Sequence, residues 1–408
     1  HGWNFLGEAN NEQLEYVRLV ASGDSSNPRY LEAKKLLSEE YESNSRMKKQ
    51  YDEILEQLTT ADAAVAKYLK KPVYTKEEVD DIITPDFELI RHVNIIKQAY
   101  GFGFETIEAC IKDLSSDLKT INERLDYNLN IDFDGRKVVG DNPDDLSDRN
   151  YGNGDVRAKN GRTHGTHVSG IIAAKRNNGI GIDGAANNIK IMAIRNTPSG
   201  DEYDKDVALG VYYAVDNGAK VINMSFGKQF SPHSDWVRDA IAYAAKKDVL
   251  IVAAAGNDGK NTDEINYFPN DQINNGVEVS NTFVKVGAIG PKYGSTLVAG
   301  YSNYGKNTVD VFAPGSQIYS TYPKNDYEFA SGSSMAAPLV TGVAALIFSQ
   351  YPNLSAAQVK NILMTSGIAI DKKVVLENGA IVPFSELSKS GKIVNAYNAL
   401  IMASKISK

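Results

Sequence analysis

The chain has 408 residues, 42% of them hydrophobic and 23% charged, with a formal net charge of −7 and a pI near 5.4. This composition is typical of a globular protein of two or three domains and excludes collagenous, disordered and disulfide-scaffold classes. The acidic balance gives no support for nucleic acid as a partner. The most apolar stretch, residues 335–348, is shorter than the roughly 18 residues that a membrane span needs, so we expect no span.

The first residue is His1, and no charged and apolar leader follows it, so we expect the chain to be the interior of a longer product. Residues 10–130 are rich in Glu, Lys, Leu and Tyr and are predicted to form an α-helical insertion. Apolar residues recur there at intervals of 3 and 4 in two series, Met47, Tyr51, Ile54, Leu58, Ala61, Val65 and Tyr68, then Ile107, Ile111, Leu114, Leu118, Ile121 and Leu125. Such heptad spacing predicts two long helices packed antiparallel.

Thr75 and Glu78 fit a capping box between these two helices. The lone cysteine, Cys110, excludes an intramolecular disulfide and fits a small core residue. The helical region has two readings that the residues leave open. It is either a self-packed insertion or an arm that binds a partner or inhibits the protein.

An acidic loop follows the helical region. Its carboxylates are Asp141, Asp144, Asp145, Asp148 and Asp155. A solvated loop and a structural calcium site are both compatible with this pattern, which lacks the spacing of an EF-hand. We expect no cofactor to be required.

From residue 163 onward, short β-rich runs alternate with helical patterns. Strands are predicted at residues 189–194, 220–226 and 249–255, and helices at 203–217 and 235–247. This order predicts an α/β fold with a doubly wound, mostly parallel sheet. A long apolar helix follows Ser334, with Pro338 expected in its first turn. A last helix is predicted from Ser355, with Gln358 completing a capping box.

Three short segments carry residue types that suit acyl-transfer chemistry, residues 161–170, 252–258 and 331–338. Ser334 is placed at a helix N-terminus, where free backbone N–H groups favour developing negative charge. Taken alone, a serine at a helix start is more often a plain helix cap. His164 and His167 lie among glycines ahead of a helical pattern, and no third ligand supports a zinc site. Asn257 follows a strand and is either a turn residue or an amide donor to an oxyanion.

Together and in this order, these segments resemble the subtilisin-like serine proteases. The resemblance rests on His164-Gly-Thr-His-Val-Ser-Gly, Ala254-Ala-Gly-Asn, Gly332-Ser-Ser-Met-Ala-Ala-Pro and Val221-Ile-Asn-Met-Ser-Phe-Gly. It covers about residue 131 to the C-terminus and a short piece at the start. The implied fold is the α/β fold predicted above, with the helical region as an insertion.

The resemblance implies a role for each matching residue. Ser334 is expected to be the nucleophile, His164 the general base, and Asn257 with the Ser334 backbone N–H the oxyanion hole. Ser333 is expected to donate a further hydrogen bond. The implied substrate-binding residues are Ser225, Phe226, Gly227 and Ser333. Phe226 is expected to wall the pocket for the side chain that precedes the scissile bond.

One family motif is missing. Subtilases order their triad as Asp, His and Ser, yet no apolar strand ending in Asp-Ser-Gly or Asp-Thr-Gly precedes His164. The opening residues 1–7 resemble a segment that follows the aspartate strand in a bacterial subgroup. We therefore expect the aspartate to lie upstream, with residues 1–9 a remnant of the catalytic domain, 10–130 the insertion and 131–408 the rest of that domain.

The sequence thus predicts a hydrolase, a serine endopeptidase acting on polypeptides, which is secreted, periplasmic or bound to a bacterial cell envelope. Without the carboxylate we expect the 408 residues alone to be inactive, because that loss lowers turnover roughly 10⁴-fold. The alternative is a non-catalytic relative that binds peptides or a partner. The presence of His164, Asn257 and Ser334 together favours the enzyme. A propeptide or a partner could contact the helical insertion.

Overall fold

The computed structural model describes residues 2–157, 163–274 and 276–407. His1, and Gly161 and Arg162 at the start of the predicted histidine segment, lie outside the described residues. The chain divides into two compact units, His1–Glu15 with Gly135–Lys408, and Tyr16–Asp134. The sequence predicted these boundaries at residues 9/10 and 130/131.

The smaller unit is helical. Its elements, together with the helix that leads into it, are α1 (Glu15–Ser22), α2 (Tyr30–Leu69), α3 (Lys76–Asp80), α4 (Phe87–Gly101), α5 (Ile107–Glu123) and a π-helical turn (Arg124–Asn128). The capping box of Thr75 and Glu78 at the start of α3 is confirmed. An ion pair between Arg124 and Glu40 places the end of α5 beside the first half of α2, so the two helices run antiparallel.

The core of this unit draws on four helices instead of the predicted two, since Val79 of α3 joins residues of α2, α4 and α5. Leu58 and Val65 of α2 pack with Ile96 of α4 and with Ile107 and Cys110 of α5 in one buried cluster. Because α4 covers part of the same face, the heptad series is buried only along this stretch. Other members of the α2 series remain exposed, namely Met47, Ile54 and Tyr68.

The larger unit contains the sheets. Its strands are β1 (Gly2–Asn4), β2 (Ala193–Arg195), β3 (Val221–Met224), β4 (Leu250–Ala254), β5 (Phe283–Ile289), β6 (Val311–Pro314), β7 (Ile318–Tyr322), β8 (Asp326–Ala330), β9 (Ile368–Ala369), β10 (Lys373–Val375), β11 (Ile381–Pro383) and β12 (Lys392–Ile393). Its helices are α6 (His164–Ala173), α7 (Asp204–Asp216), α8 (Ser234–Lys246), α9 (Ser333–Gln350), α10 (Ala356–Thr365) and α11 (Ala396–Ile406), with 3₁₀ turns at Arg136–Val138 and Phe384–Glu386.

The main sheet has six strands in the order β3-β4-β5-β6-β12-β9. Every neighbouring pair is parallel except β12 with β9. Alternate residues of β4 face opposite layers, Ile251 toward α7 and α8 and Val252 toward α9, α10 and α11. The predicted α/β class with a mostly parallel, doubly wound sheet is therefore confirmed. The capping box of Ser355 and Gln358 at the start of α10 is also confirmed.

The strand predicted at residues 189–194 is wrong in extent. Only Ala193–Arg195 is a strand, and it pairs in parallel with β1 in a separate two-stranded sheet. The ladder with β1 pairs Ala193, Ile194 and Arg195 with Gly2, Trp3 and Asn4. Ile191 lies outside the strand and is exposed.

Within the described residues, α9 is the helix that is long and apolar enough to cross a membrane. Of its residues, 61% are buried inside the protein. It packs against the main sheet through Ala336, Val340 and Ile347. Its hydrophobicity is thus that of a core helix.

Candidate active site

Three predicted site residues lie at the carboxyl edge of the parallel sheet. Ser225 directly follows β3, Asn257 follows β4 after a short turn, and Ser334 lies in the first turn of α9. Open α/β sheets bind ligands at this edge because the loops that leave the strands converge there.

Ser334 is half-buried, and its hydroxyl donates to the backbone oxygen of Ser225 over 3.1 Å. As the second residue of α9, it has a backbone N–H with no helical acceptor. The structure therefore places hydroxyl and free N–H together at the N-terminal end of a helix, as the sequence predicted.

The prediction that Pro338 lies in the first turn of α9 is wrong. The helix begins at Ser333, so Pro338 is its sixth residue. Proline has no N–H to donate to the carbonyl four residues earlier, that of Ser334. The hydroxyl of Ser225 donates to this carbonyl instead, over 2.8 Å. Ser225 and Ser334 thus hold each other through two hydrogen bonds.

The side-chain amide of Asn257 is oriented by Ser333. The backbone N–H and the hydroxyl of Ser333 both donate to Asn257 Oδ1, over 2.8 Å and 3.0 Å. Because these donors take the oxygen, the Nδ2 group is turned away from them, and no described residue accepts a hydrogen bond from it. An amide held this way can donate to an oxygen that develops negative charge beside Ser334.

The placement of Ser333 among the substrate-binding residues needs correction. Its side chain is fully buried, and its single hydroxyl proton already serves Asn257. Its oxygen also accepts from the backbone N–H of Gly256 over 3.0 Å. Ser333 therefore positions the asparagine and has no free donor for a substrate.

Ser225, Phe226 and Gly227 form the strand extension expected to pair with substrate. Ser225 Oγ also accepts a hydrogen bond from Asn223 Nδ2 over 2.9 Å. Phe226 is partly buried and packs against the apolar cluster of α7 and α8, so its role as a pocket wall stays a prediction.

Sequence reasoning missed Asn223. Its Oδ1 accepts from Thr341 of α9 over 2.9 Å while its Nδ2 binds Ser225, so it ties β3 to α9. The available signal was an amide inside an otherwise apolar strand, because a polar side chain that is partly withdrawn from water needs partners.

His164 begins α6, and the next turn of that helix packs on α9 through contacts of Val168 with Met335, the neighbour of Ser334. His164 is exposed at the start of α6. Partial desolvation by the surrounding protein lowers its pKa below the ordinary 6.5, and nearby His167 lowers it further. Among the described residues, none forms a hydrogen bond with this ring. No carboxylate is among the causes of the pKa shift.

His167 is occupied by the hairpin of β7 and β8. Its buried Nε2 lies 3.1 Å from the backbone oxygens of both Ile318 and Glu328. Since both partners are acceptors, Nε2 carries the proton. This geometry leaves His167 a structural residue beside His164.

Three carboxylates of the acidic loop pair with basic side chains. The side chain of Asp141 is fully buried and binds Arg136 at 2.7 Å and Lys205 at 2.6 Å. Asp144 lies 3.0 Å from His233, and Asp155 lies 2.8 Å from Arg157. No group of three metal-ligating side chains occurs in the part of the chain that the structure describes. A structural calcium ion bound by this loop therefore stays a prediction.

The comparisons with known proteins agree with this fold and this arrangement. The model of the subtilase family matches residues 47–386. The chain is 39% identical over 238 residues to a thermophilic serine proteinase of Bacillus sp. (strain AK1), covering 58% of this chain and 53% of that one. It is 36% identical over 223 residues to subtilisin DY of Bacillus licheniformis, covering 54% and 76%. It is 38% identical over 201 residues to a cell wall-associated protease of Bacillus subtilis (strain 168), covering 49% and 20%.

This fold and site define an α/β protein with a nucleophile-like serine and an oriented asparagine at one sheet edge. A histidine begins α6, the helix that packs on α9. The family match extends over most of the chain, and the chain belongs to the subtilase family. The chain spans about half the length of the first of these relatives.

Proposed function

We propose that the protein is a serine endopeptidase with Ser334 as nucleophile and His164 as general base. The observation that carries this proposal is the orientation of Asn257 by Ser333, which leaves its Nδ2 group free beside Ser334. A turn residue would not need two donors on one amide oxygen, whereas an oxyanion donor needs a fixed direction.

The reaction follows from these positions. His164 takes the proton of the Ser334 hydroxyl as Oγ attacks the carbonyl carbon of a peptide bond. The carbonyl oxygen becomes an oxyanion that accepts from Asn257 Nδ2 and the Ser334 backbone N–H. The C–N bond then breaks, and His164 returns the proton to the leaving amine. Water, deprotonated by His164, hydrolyses the acyl-Ser334 ester and regenerates the hydroxyl.

Substrate binding involves the strand extension at Ser225 and Gly227. An extended peptide can pair its backbone with this segment, as in strand addition. The carbonyl of Ser225, which accepts from Ser334 Oγ in this structure, is released when the hydroxyl turns toward His164.

We further propose that a carboxylate outside the described residues orients His164, as the missing motif predicts. The absence of a carboxylate effect on its pKa supports this. Loss of the carboxylate that orients the histidine of a catalytic triad lowers reaction rates roughly 10⁴-fold. The same observation favours the second candidate, a peptide-binding relative without catalysis.

The remaining expectations are part of the same proposal. Polypeptides are the substrates, and a propeptide or partner contacts the helical unit. A location outside the cytoplasm, at the envelope or beyond it, is supported by the name of the cell wall-associated relative.

Fluorophosphonate labelling of the serine tests the proposal. The reagent is applied to the 408-residue chain and to the longest product of its gene, each with Ser334→Ala as control. Label on Ser334 in the longer product supports the endopeptidase, and slow label in the 408 residues supports the missing carboxylate. No label on a folded longer product overturns the catalytic proposal in favour of the binding protein.

A further inference from the structure

The ring of Tyr267 lies between the two backbone segments that flank the proposed nucleophile. A Cβ atom added to Gly227 would lie 2.5 Å from Tyr267 Cε1, and one added to Gly256 would lie 2.5 Å from Tyr267 Cζ. Atoms of this kind do not approach so closely, so the ring is in direct contact with both glycine backbones. The two glycines make the space, and the tyrosine fills it.

This space adjoins the reacting groups on both sides. Gly227 is two residues after Ser225, whose carbonyl accepts from Ser334 Oγ. Gly256 immediately precedes Asn257, the oxyanion donor of the proposed reaction. A peptide paired with residues 225–227 and attacked by Ser334 would direct the side chain before its scissile bond into the gap between these segments.

We propose that Tyr267 fills the floor of this gap and restricts the residue before the scissile bond to small side chains such as Ala, Ser and Gly. The inference rests on the proposed endopeptidase function and names its substrate class. Aromatic and long aliphatic side chains need the volume that the ring occupies.

The ring is held in place through its backbone. The Tyr267 carbonyl accepts from the buried Lys285 Nζ over 2.9 Å. The next residue, Phe268, exchanges two backbone hydrogen bonds with Lys228, over 2.9 Å and 3.0 Å. Lys228 directly follows Gly227, so the segment that carries the ring is fastened to the segment that the ring contacts. Burial is also the main cause that raises the pKa of Tyr267.

The size of the expected preference follows from apolar pockets in general. A single methylene changes discrimination by roughly 10- to 200-fold. A phenyl ring excluded by Tyr267 should therefore lose at least about 10-fold against a methyl group.

The inference is tested with two peptidyl diphenyl phosphonates. They differ only at the position before the phosphorus, which is Ala in one probe and Phe in the other. Each labelling rate at Ser334 is divided by the rate of a small fluorophosphonate with the same protein, so that low intrinsic reactivity cancels. We expect the natural chain to favour the Ala probe at least 10-fold. Tyr267→Gly should raise the rate of the Phe probe at least 10-fold, and Tyr267→Phe should keep the natural preference.

Tyr293→Gly is the matched control, since Tyr293 is 69% exposed in a loop, and it should leave the ratio unchanged. Equal rates of the two probes with the natural chain would overturn the inference. If fluorophosphonate still labels Ser334 in that case, the proposed function is unaffected. This ratio needs no variant, so a failure of Tyr267→Gly to fold does not affect it. Absence of fluorophosphonate label overturns the proposed function and the inference together.

Discussion

At the scale of single residues, Asn257 and Ser333 act as a pair. The amide supplies the donor, and the serine fixes its direction through two hydrogen bonds to Oδ1. Only one of these bonds comes from a side chain, so replacing that side chain weakens the orientation without abolishing it.

Asn257→Ala should lower the rate of fluorophosphonate labelling about 10²- to 10³-fold, because one oxyanion donor is lost. Ser333→Ala should lower it less, and the double variant should react no more slowly than Asn257→Ala. Ser331→Ala is the matched control, because its hydroxyl accepts from Gln317 N–H and does not contact Asn257. A further loss from Ser333→Ala in the Asn257→Ala background would contradict the positioning role.

The pKa of His164 gives a pH prediction for the same site. A base acts in its neutral form, and the lowered pKa means that His164 loses its proton below pH 6.5. In the 408-residue chain, an NMR titration of His164, assigned with His164→Gln, should therefore have its midpoint below that value. His167→Asn removes the second cause and should move the midpoint upward. A midpoint above 6.5 in the natural chain would show a carboxylate near the ring.

At the scale of elements, side-chain hydrogen bonds join β3 to α9, and one of them depends on a proline. Pro338 leaves the Ser334 carbonyl without its helical donor, and Ser225 supplies one. Asn223 in turn donates to Ser225 and accepts from Thr341 further along α9. The nucleophile's turn is thereby fastened to the strand extension that would bind substrate.

Ser225→Ala should lower the free energy of unfolding by about 0.5–1.5 kcal/mol, since a partly buried acceptor loses its donor. In a Pro338→Ala background the cost should shrink, because an alanine at this position can donate its backbone N–H to the Ser334 carbonyl. Urea unfolding followed by tryptophan fluorescence measures this, as both tryptophans, Trp3 and Trp236, belong to the larger unit. Ser404→Ala is the control, because its hydroxyl bond lies on the exposed surface of α11. An equal cost in both backgrounds would contradict the role of the proline.

Sequence patterns predicted those helices and strands well whose formation depends on residues close to them in the chain. Both capping boxes and the parallel order of β3 and β4 follow from such patterns. The features that the sequence did not predict depend on contacts between residues that are far apart in the chain. The face of α2 is shared with α4, and the ring of Tyr267 meets Gly227 and Gly256 only after folding.

At the scale of the whole molecule, the chain leaves the larger unit after Glu15 and returns to it at Gly135. Both ends are fixed inside that unit. The Glu15 carboxylate binds Lys228 Nζ at 2.7 Å. Gly135 lies against the backbone oxygen of Asn11, and the next residue, Arg136, forms a buried ion pair with Asp206. These anchors join residues of the larger unit to one another, and the buried clusters of its main sheet are likewise formed by its own residues.

Replacing residues 16–134 by six Gly and Ser residues should accordingly leave the larger unit folded. Gly135 contacts Asn11, and the four residues from there to Glu15 span at most about 14 Å, which a six-residue linker covers. We expect tryptophan fluorescence and the urea midpoint to stay close to those of the full chain, and fluorophosphonate labelling to change by less than about 3-fold. Separately expressed residues 16–134 should give a helical circular dichroism spectrum, as their own buried cluster predicts. Labelling that rises more than 10-fold on deletion would identify an inhibitory arm, and loss of the folded state would contradict the independence of the two units.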